Sequence, residues 1–333
     1  MPTTYTNTTS TTAVSNLVVT AYDRLFDFKL RAEPVFRRWA DKRPVSVTNP
    51  GESVVFNLYS DLAPVTASLS ENVAPDPVAF SNTSQVTVTL AEYGNLTLRT
   101  KRLTLDAINN VDEALANAVA FNCADSVDGL VQTTLSGGSQ YFRRGGGATT
   151  YVDPTGAQIG TAIARTAITG TDLIKSDDIR TIVARLRTNK VIPRIGANFV
   201  GVIHPMVAAD LRRETGDTGW RDPHIYNEAG VQNVWDAVVG QYEGVVWIEN
   251  PRCLNDQSGF GSGATQTRVF RTWFFGEQAL AEAVNEDFHM VVGEITDPLK
   301  RFFPLGWYGF AGWAVYRQEA LMRYETSSQG MSV

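Results

Sequence analysis

The side chains that most often carry chemistry are few and scattered. The three histidines, His204, His224 and His289, lack the three- or four-residue spacing that would put two of them on one helix face as metal ligands. His204 stands between an apolar run and Pro205, a place that suits capping or packing better than metal binding. Cys123 and Cys253 are far apart, which leaves no CxxC site and no disulfide framework, and both read as small buried residues. Arg143-Arg144-Gly-Gly-Gly147 has the residue types of a phosphate cradle but reads as a flexible loop. Gly306-Trp-Tyr-Gly309-Phe-Ala-Gly312 departs from the GxGxxG of dinucleotide folds, and no helix start follows it. The acid pairs Asp177–Asp178 and Glu286–Asp287 are sequence neighbours and point apart. No catalytic residue, cofactor or metal motif emerges, and the expectation is a protein that is not an enzyme.

Composition narrows the field further. Charged residues are 19% of the chain, against roughly 25% in ordinary globular domains, and the net charge is −6. That sign argues against a dedicated nucleic-acid binder, although a tract with a net +3 between 23 and 43 can face DNA weakly. No run approaches the ~18–20 apolar residues of a membrane span, and the N-terminus has neither the basic start nor the apolar stretch of a secretion signal. Of 29 basic residues only six are Lys. Either much of the surface is covered by other chains, since Arg is favoured and Lys depleted in interfaces, or the coding sequence is rich in GC.

Any functional surface must therefore be positioned by the elements themselves. The first 12 residues hold seven Thr and no charge, a tail that needs a neighbour to order it. Residues 13–48 read as one or two basic helices ended by Pro44. From Pro50 to Leu98 there are five acids (Glu52, Asp61, Glu71, Asp76 and Glu92) and no Lys or Arg. Strand signals at 54–59 and 86–90 bracket a Pro-rich middle, which predicts a two-stranded arm that must lie on something. Residues 103–135 carry a helical apolar period and many alanines, a rod of about 30 residues or ~45 Å. A loop region over 136–170 is followed by a helix that Ser176 caps, strands at 198–203, 244–248 and 269–275, and helices at 206–213 and 278–284. This alternation predicts a compact α/β lobe over 140–285. The stretch 305–316 is apolar on both parities, so it is a strand covered on both faces, paired with sequence far upstream beside the long helix.

The segment order resembles the major capsid protein of tailed double-stranded DNA bacteriophages, an α+β class known as the Hong Kong 97-type fold. The resemblance rests on Val202-Ile-His-Pro-Met-Val-Ala-Ala-Asp-Leu211, Gly240-Gln-Tyr-Glu-Gly-Val-Val-Trp-Ile-Glu-Asn-Pro251, Phe275-Gly-Glu-Gln-Ala-Leu280, Asp297-Pro-Leu299 and Gln318-Glu-Ala-Leu-Met-Arg323, in that order. It implies an N-terminal arm over 1–48, an extended β-loop over 49–102, a spine helix over 103–139, an axial domain over 140–285 and peripheral-domain return strands over 286–333. It further implies a virion protein, assembled in the host cytoplasm, that joins itself as hexamers and pentamers of an icosahedral head. Implied partners are separate scaffolding, portal and decoration proteins, with packaged DNA touched weakly and no membrane. A tail-tube or decoration subunit, and an oligomeric cytoplasmic α/β enzyme, are the competing readings. The arm of about 48 residues leaves no room for the long scaffolding segment some members carry.

The acids of the loop either dock on a basic surface of an adjacent subunit, with Arg143, Arg144, Arg37 and Arg38 as candidate contacts, or face solvent. Some members of the family lock their shells with isopeptide bonds from an extended-loop Lys, and here no Lys lies between 43 and 100. Shells boiled in denaturant and run on a gel are therefore expected to give monomer, and a covalent ladder would contradict this.

Overall fold

The computed structural model describes residues 35–44, 53–59, 62, 66, 68, 69, 71, 72, 83–102, 111–214, 238–253, 255–260, 267–294 and 298–329. The N-terminal tail, most of the expected basic helices and the start of the expected rod lie outside these residues. In chain order the strands are β1 (Ala40–Pro44), β2 (Ser53–Tyr59), β3 (Thr83–Thr89) and β4 (Ala91–Thr100), followed by helix α1 (Val111–Ser136). Then come β5 (Tyr141–Gly145), β6 (Ala148–Val152), β7 (Gln158–Gly160), α2 (Ser176–Thr188), β8 (Phe199–Ile203) and α3 (Pro205–Arg213). The remaining strands are β9 (Val238–Tyr242), β10 (Val245–Glu249), β11 (Asn255–Phe260), β12 (Thr267–Phe275), β13 (Leu280–Val292), β14 (Phe302–Val315) and β15 (Leu321–Thr326).

Two sheets organise the molecule. One has four strands in the order β1-β13-β14-β4, and the other has nine, running β7-β6-β5-β15-β12-β8-β10-β9 with β11 on β12. The chain passes from the large sheet to the small one at 276–279 and returns at 316–320. Both crossings are hydrogen-bonded to each other: Tyr316 N donates to Ala279 O at 3.0 Å, Arg317 N to Gln278 O at 3.2 Å, and Gly276 N to Ala320 O at 2.8 Å.

The doubly apolar strand is β14, and it is covered on both faces along much of its length. On one face Leu305, Trp307 and Ala311 join the main core, which includes the α1 stripe Ala116, Ala120, Cys123, Val127 and Val131. Small side chains at these three- and four-residue steps let the 26-residue rod, ~39 Å long, lie close to the strands. On the other face Phe310 and Ala314 pack with Phe56, Val88, Leu90 and Tyr316. The β2–β3 hairpin, the root of the expected arm, thus lies on its own subunit. The approach is close: a Cβ on Gly312 would sit 2.2 Å from the Thr89 carbonyl oxygen.

Several expected elements change type. The basic segment ends in a 3-10 turn (Arg37–Trp39) and then β1 rather than in helix, because Ala40–Pro44 finds a parallel partner in Leu280–Val284. The expected helix at 278–284 is part of strand β13. Gln278 takes a left-handed φ of 59°, which no helix can carry through, and an apolar run flanked by strands on both sides forms a ladder. The Gly-rich loop at 143–147 is a tight hairpin, with Gly146 and Gly147 at φ 58° and 79° forming the two-residue turn between β5 and β6. Ser176 does not cap α2: its own N–H and hydroxyl both donate to the Glu214 carboxylate. Finally, β15 pairs with β12 and β5, so Leu321–Thr326 belongs to the nine-stranded sheet rather than to a return in the small one.

Where α1 meets the root of the N-terminal segment, Asp128 is 1% exposed. Its Oδ2 accepts the Val35 N–H at a long 3.5 Å. Burial pushes this carboxyl up to about 6, against the smaller opposing pull of the Val35 amide and the Arg252 charge. An acid raised in this way holds its proton more tightly folded than unfolded. Its contribution to stability is therefore greatest at low pH and is lost as pH rises through 6. Asp128→Asn should raise the melting temperature relative to the parent at pH 8, by as much as about 3 kcal/mol of stability. The advantage should shrink by pH 5, and parallel thermal melts at the two pH values check this.

Candidate assembly interface

The arginines the sequence offered as docking partners are mostly spent inside the chain. Arg143 on β5 donates Nε to Glu325 at 2.7 Å and Nη1 to the Ile163 carbonyl at 2.5 Å. Arg144 binds Asp178 with two parallel bonds of 2.7 and 3.0 Å, and Tyr324 donates its hydroxyl to the same carboxylate. Arg37 bridges buried Glu282 at 2.6 Å and Asp287 at 2.5 Å, so the root of the N-terminal segment is pinned to β13. All three are thus ion-paired within their own chain. Alternation on β5 aims Arg143 and Arg144 at acids from other parts of the chain, which no local pattern records. Arg38 is exposed, with its guanidinium 5.6 Å from the Trp39 ring centroid. Among the acids, Glu71 and Glu92 are exposed, while Glu52, Asp61 and Asp76 lie outside the described residues.

Glu325 is the centre of the largest charge cluster among the described residues. It is fully buried, and four guanidiniums surround it: Arg165 at 2.5 Å, Arg143 at 2.6 Å, Arg323 at 3.0 Å and Arg271 at 3.9 Å. Burial alone would push its carboxyl up, but the Arg165 hydrogen bond and the charges of Arg323 and Arg143 win and hold it below the usual range. Two of the arginines also reach the end of α1, with Arg323 donating to the Ser136 carbonyl at 2.5 Å and Arg271 to its hydroxyl at 2.9 Å. The last turn of α1 has no basic residue of its own. Cations from β12 and β15 complement the negative end of its dipole instead.

A surface that sequence reading did not single out appears at the far end of the small sheet. Register pairs Thr100 with Phe302, and Lys101 N donates to Arg301 O at 2.8 Å. This brings Arg99, Lys101, Arg102, Lys300 and Arg301 together. Beside them Leu98 is 64% exposed, Leu299 70% and Phe302 40%. The signal in the sequence was two basic pairs, at 101–102 and 300–301, whose meeting depends on the β4–β14 pairing.

Residues weighed for chemistry have packing roles. His204 Nδ1 accepts the Met206 N–H at 3.2 Å and caps α3, while its ring lies 4.8 Å from Phe270. Burial pushes the Cys123 thiol up to about 12 and the Cys253 thiol still higher, so neither forms a thiolate readily. His224 lies outside the described residues, and among those described no cluster of His, Cys, Asp or Glu has the makings of a metal site.

A family model described as phage capsid protein matches residues 10–308. The chain belongs to the phage capsid protein family. No protein of curated function matches it in sequence. Among solved structures, the capsid of Ralstonia phage GP4 shares 12% identity at a TM-score of 0.67, covering 87% of each chain. The cyanophage Pam1 capsid shares 16% at 0.59, over 89% of this chain and 92% of that one, and the cyanophage P-SCSP1u capsid 14% at 0.60, over 89% and 88%. The α+β architecture is thus the Hong Kong 97-type capsid fold. The capsid protein is the major structural subunit of an icosahedral phage head.

Removing the charge at the centre of the cluster leaves four guanidiniums facing one another in the interior. Glu325→Gln is expected to cost about 3–5 kcal/mol, whereas Arg38→Ala on the surface should stay within about 0.5 kcal/mol. Chemical denaturation of the soluble capsid protein distinguishes the two.

Proposed function

We propose that the capsid protein joins itself as hexamers and pentamers, in the host cytoplasm, to enclose double-stranded DNA by many repeated contacts and no catalytic step. The observation that carries this reading is the arm. Its root packs on the subunit's own sheet, but beyond the strands Leu62 and Leu69 are exposed, at 55% and 74%. Large apolar side chains left in water gain nothing unless another surface covers them. A second copy is the abundant partner in a shell, and modest contacts sum over a closed lattice.

In this reading the arm over 1–48 and the extended loop over 49–102 reach neighbours except for β1 to β4, which stay on their own subunit, and the spine helix carries the load between two bodies. The axial body is the expected 140–285 unit, extended by β15 and shortened at Leu280, where the chain enters the small sheet. The peripheral body is β1, β4, β13 and β14 with α1. Scaffolding, portal and decoration proteins act as separate chains, and DNA is held weakly, as a subunit of net charge −6 suggests. A long helical rod is ill suited to a tail tube or decoration subunit, which are mostly β.

Expression of the chain alone followed by negative-stain electron microscopy tests the reading. Shells, or six- and fivefold capsomers, are expected. Open tubes would favour a tail component, and a small discrete oligomer without five- or sixfold symmetry would overturn the shell.

A further inference from the structure

Three elements meet at the buried carboxyl of Asp128: helix α1, which carries it, the turn 250–253 after β10, and Val35–Phe36, where the N-terminal segment joins the body. The fit there is incomplete. Asp128 Oδ1 makes no hydrogen bond among the described residues, and neither does the buried Asn250 Nδ2 beside it. Oδ2 accepts the Val35 N–H at a long 3.5 Å. The Arg252 guanidinium is divided, with its Nε 3.3 Å from the exposed carboxylate of Asp125.

The parts around this carboxyl are not held equally. The turn is fixed twice over, by Asn250 N on Ile203 O at 2.9 Å and by Gln132 Nε2 on Arg252 O at 2.6 Å. Phe36 is fully buried in the main core, and Arg37 is ion-paired to Glu282 and Asp287. Val35 is only partly buried, at the margin of that core. The root can therefore give way between Val35 and Phe36, with Phe36 and Arg37 as its fixed point. Local opening of this kind draws on weakly anchored positions.

We propose that Asp128 is a proton-controlled latch on the root of the N-terminal segment: protonated, it keeps Val35 against α1; ionised, it draws water in and lets the chain lift away before Phe36. A buried carboxylate gains far more from water than a neutral carboxyl does. Its carboxyl, held up at about 6 by burial, binds its proton more tightly with the latch closed than open. Closure is therefore favoured most at low pH and weakens as pH rises through 6. Among the described residues, the other ionisable groups here are Asp125, Arg252, Cys253 and, on the root, Arg37. Both arginines stay charged, burial keeps the Cys253 thiol neutral, and Asp125 is in water already, so Asp128 is the group whose hydration changes on opening. The latch lies within one subunit. Its effect on assembly, through the place where the arm leaves the body, rests on the self-assembly reading above.

Hydrogen–deuterium exchange of the full chain, read by mass spectrometry, tests the latch whether or not shells form. Protection of the Val35 and Phe36 amides, corrected for intrinsic exchange at each pH, is expected to fall about tenfold between pH 5 and pH 8. In Asp128→Asn it should stay within about twofold over that range. Asp125→Asn, which alters the exposed carboxylate beside Arg252, should keep the parent's fall. A parent without the fall overturns the proposal, as does a fall that persists in Asp128→Asn or vanishes in Asp125→Asn. A loss of protection shared in step by the β12 and β15 amides would show global unfolding instead, and one confined to 250–253 would put the opening in the turn; either overturns the latch. Should Asp128→Asn not fold, the parent series and Asp125→Asn decide by the same criteria.

Discussion

One buried carboxylate sets the terms for much of this subunit. Glu325 has no access to water, and its charge is tolerable only because Arg143, Arg165, Arg271 and Arg323 converge on it. Those arginines come from β5, the turn after β7, β12 and β15, and two of them continue to the last residue of α1. Repulsion among the guanidiniums is as informative as their attraction to Glu325. Burial and the neighbouring arginines together hold the Arg323 guanidinium below its ordinary range, against the pull of Glu325. The cluster fixes where the rod ends and how the three central strands of the large sheet align.

Charge placement also explains the composition. A chain with 19% charged residues is already lean, and Arg37, Arg143, Arg271, Arg323, Glu282 and Glu325 are buried rather than spread over the outside. Of the charge that remains at the surface, five basic residues meet at the end of the small sheet where β4 and β14 pair. Such a surface is poorly suited to standing alone in water and well suited to burial against copies of itself.

The parts legible in sequence were those governed by local period. Alternation gave the 86–90 strand, apolarity on both parities gave β14, and three- and four-residue steps gave α1 and α2. The failures have two physical causes. A short apolar run such as 278–284 has no period that separates helix from covered strand, and only its neighbours β1 and β14 decide. Glycines at 145–147 signal freedom in composition, but two consecutive positive φ values are what a tight hairpin requires. The destinations of Arg143 and Arg144 lay beyond any local reading, since their carboxylates stand 182 and 34 positions away. The basic end of the small sheet was invisible for the same reason, being an encounter between residues about 200 positions apart.

The paired crossing between the sheets has a mechanical meaning. Residues 276–279 and 316–320 bridge the two bodies as hydrogen-bonded neighbours rather than as independent tethers. A single strand lets two bodies swivel and slide; a two-stranded ribbon resists shear along its length and torsion about it, and yields mainly by bending across its face. Gln278 and Gly276 sit in that ribbon, one with a left-handed backbone and the other where a Cβ would lie 2.3 Å from a Val191 methyl carbon. The two sheets are thus held in angular register by this ribbon, by α1 and by the hydrophobic core they share.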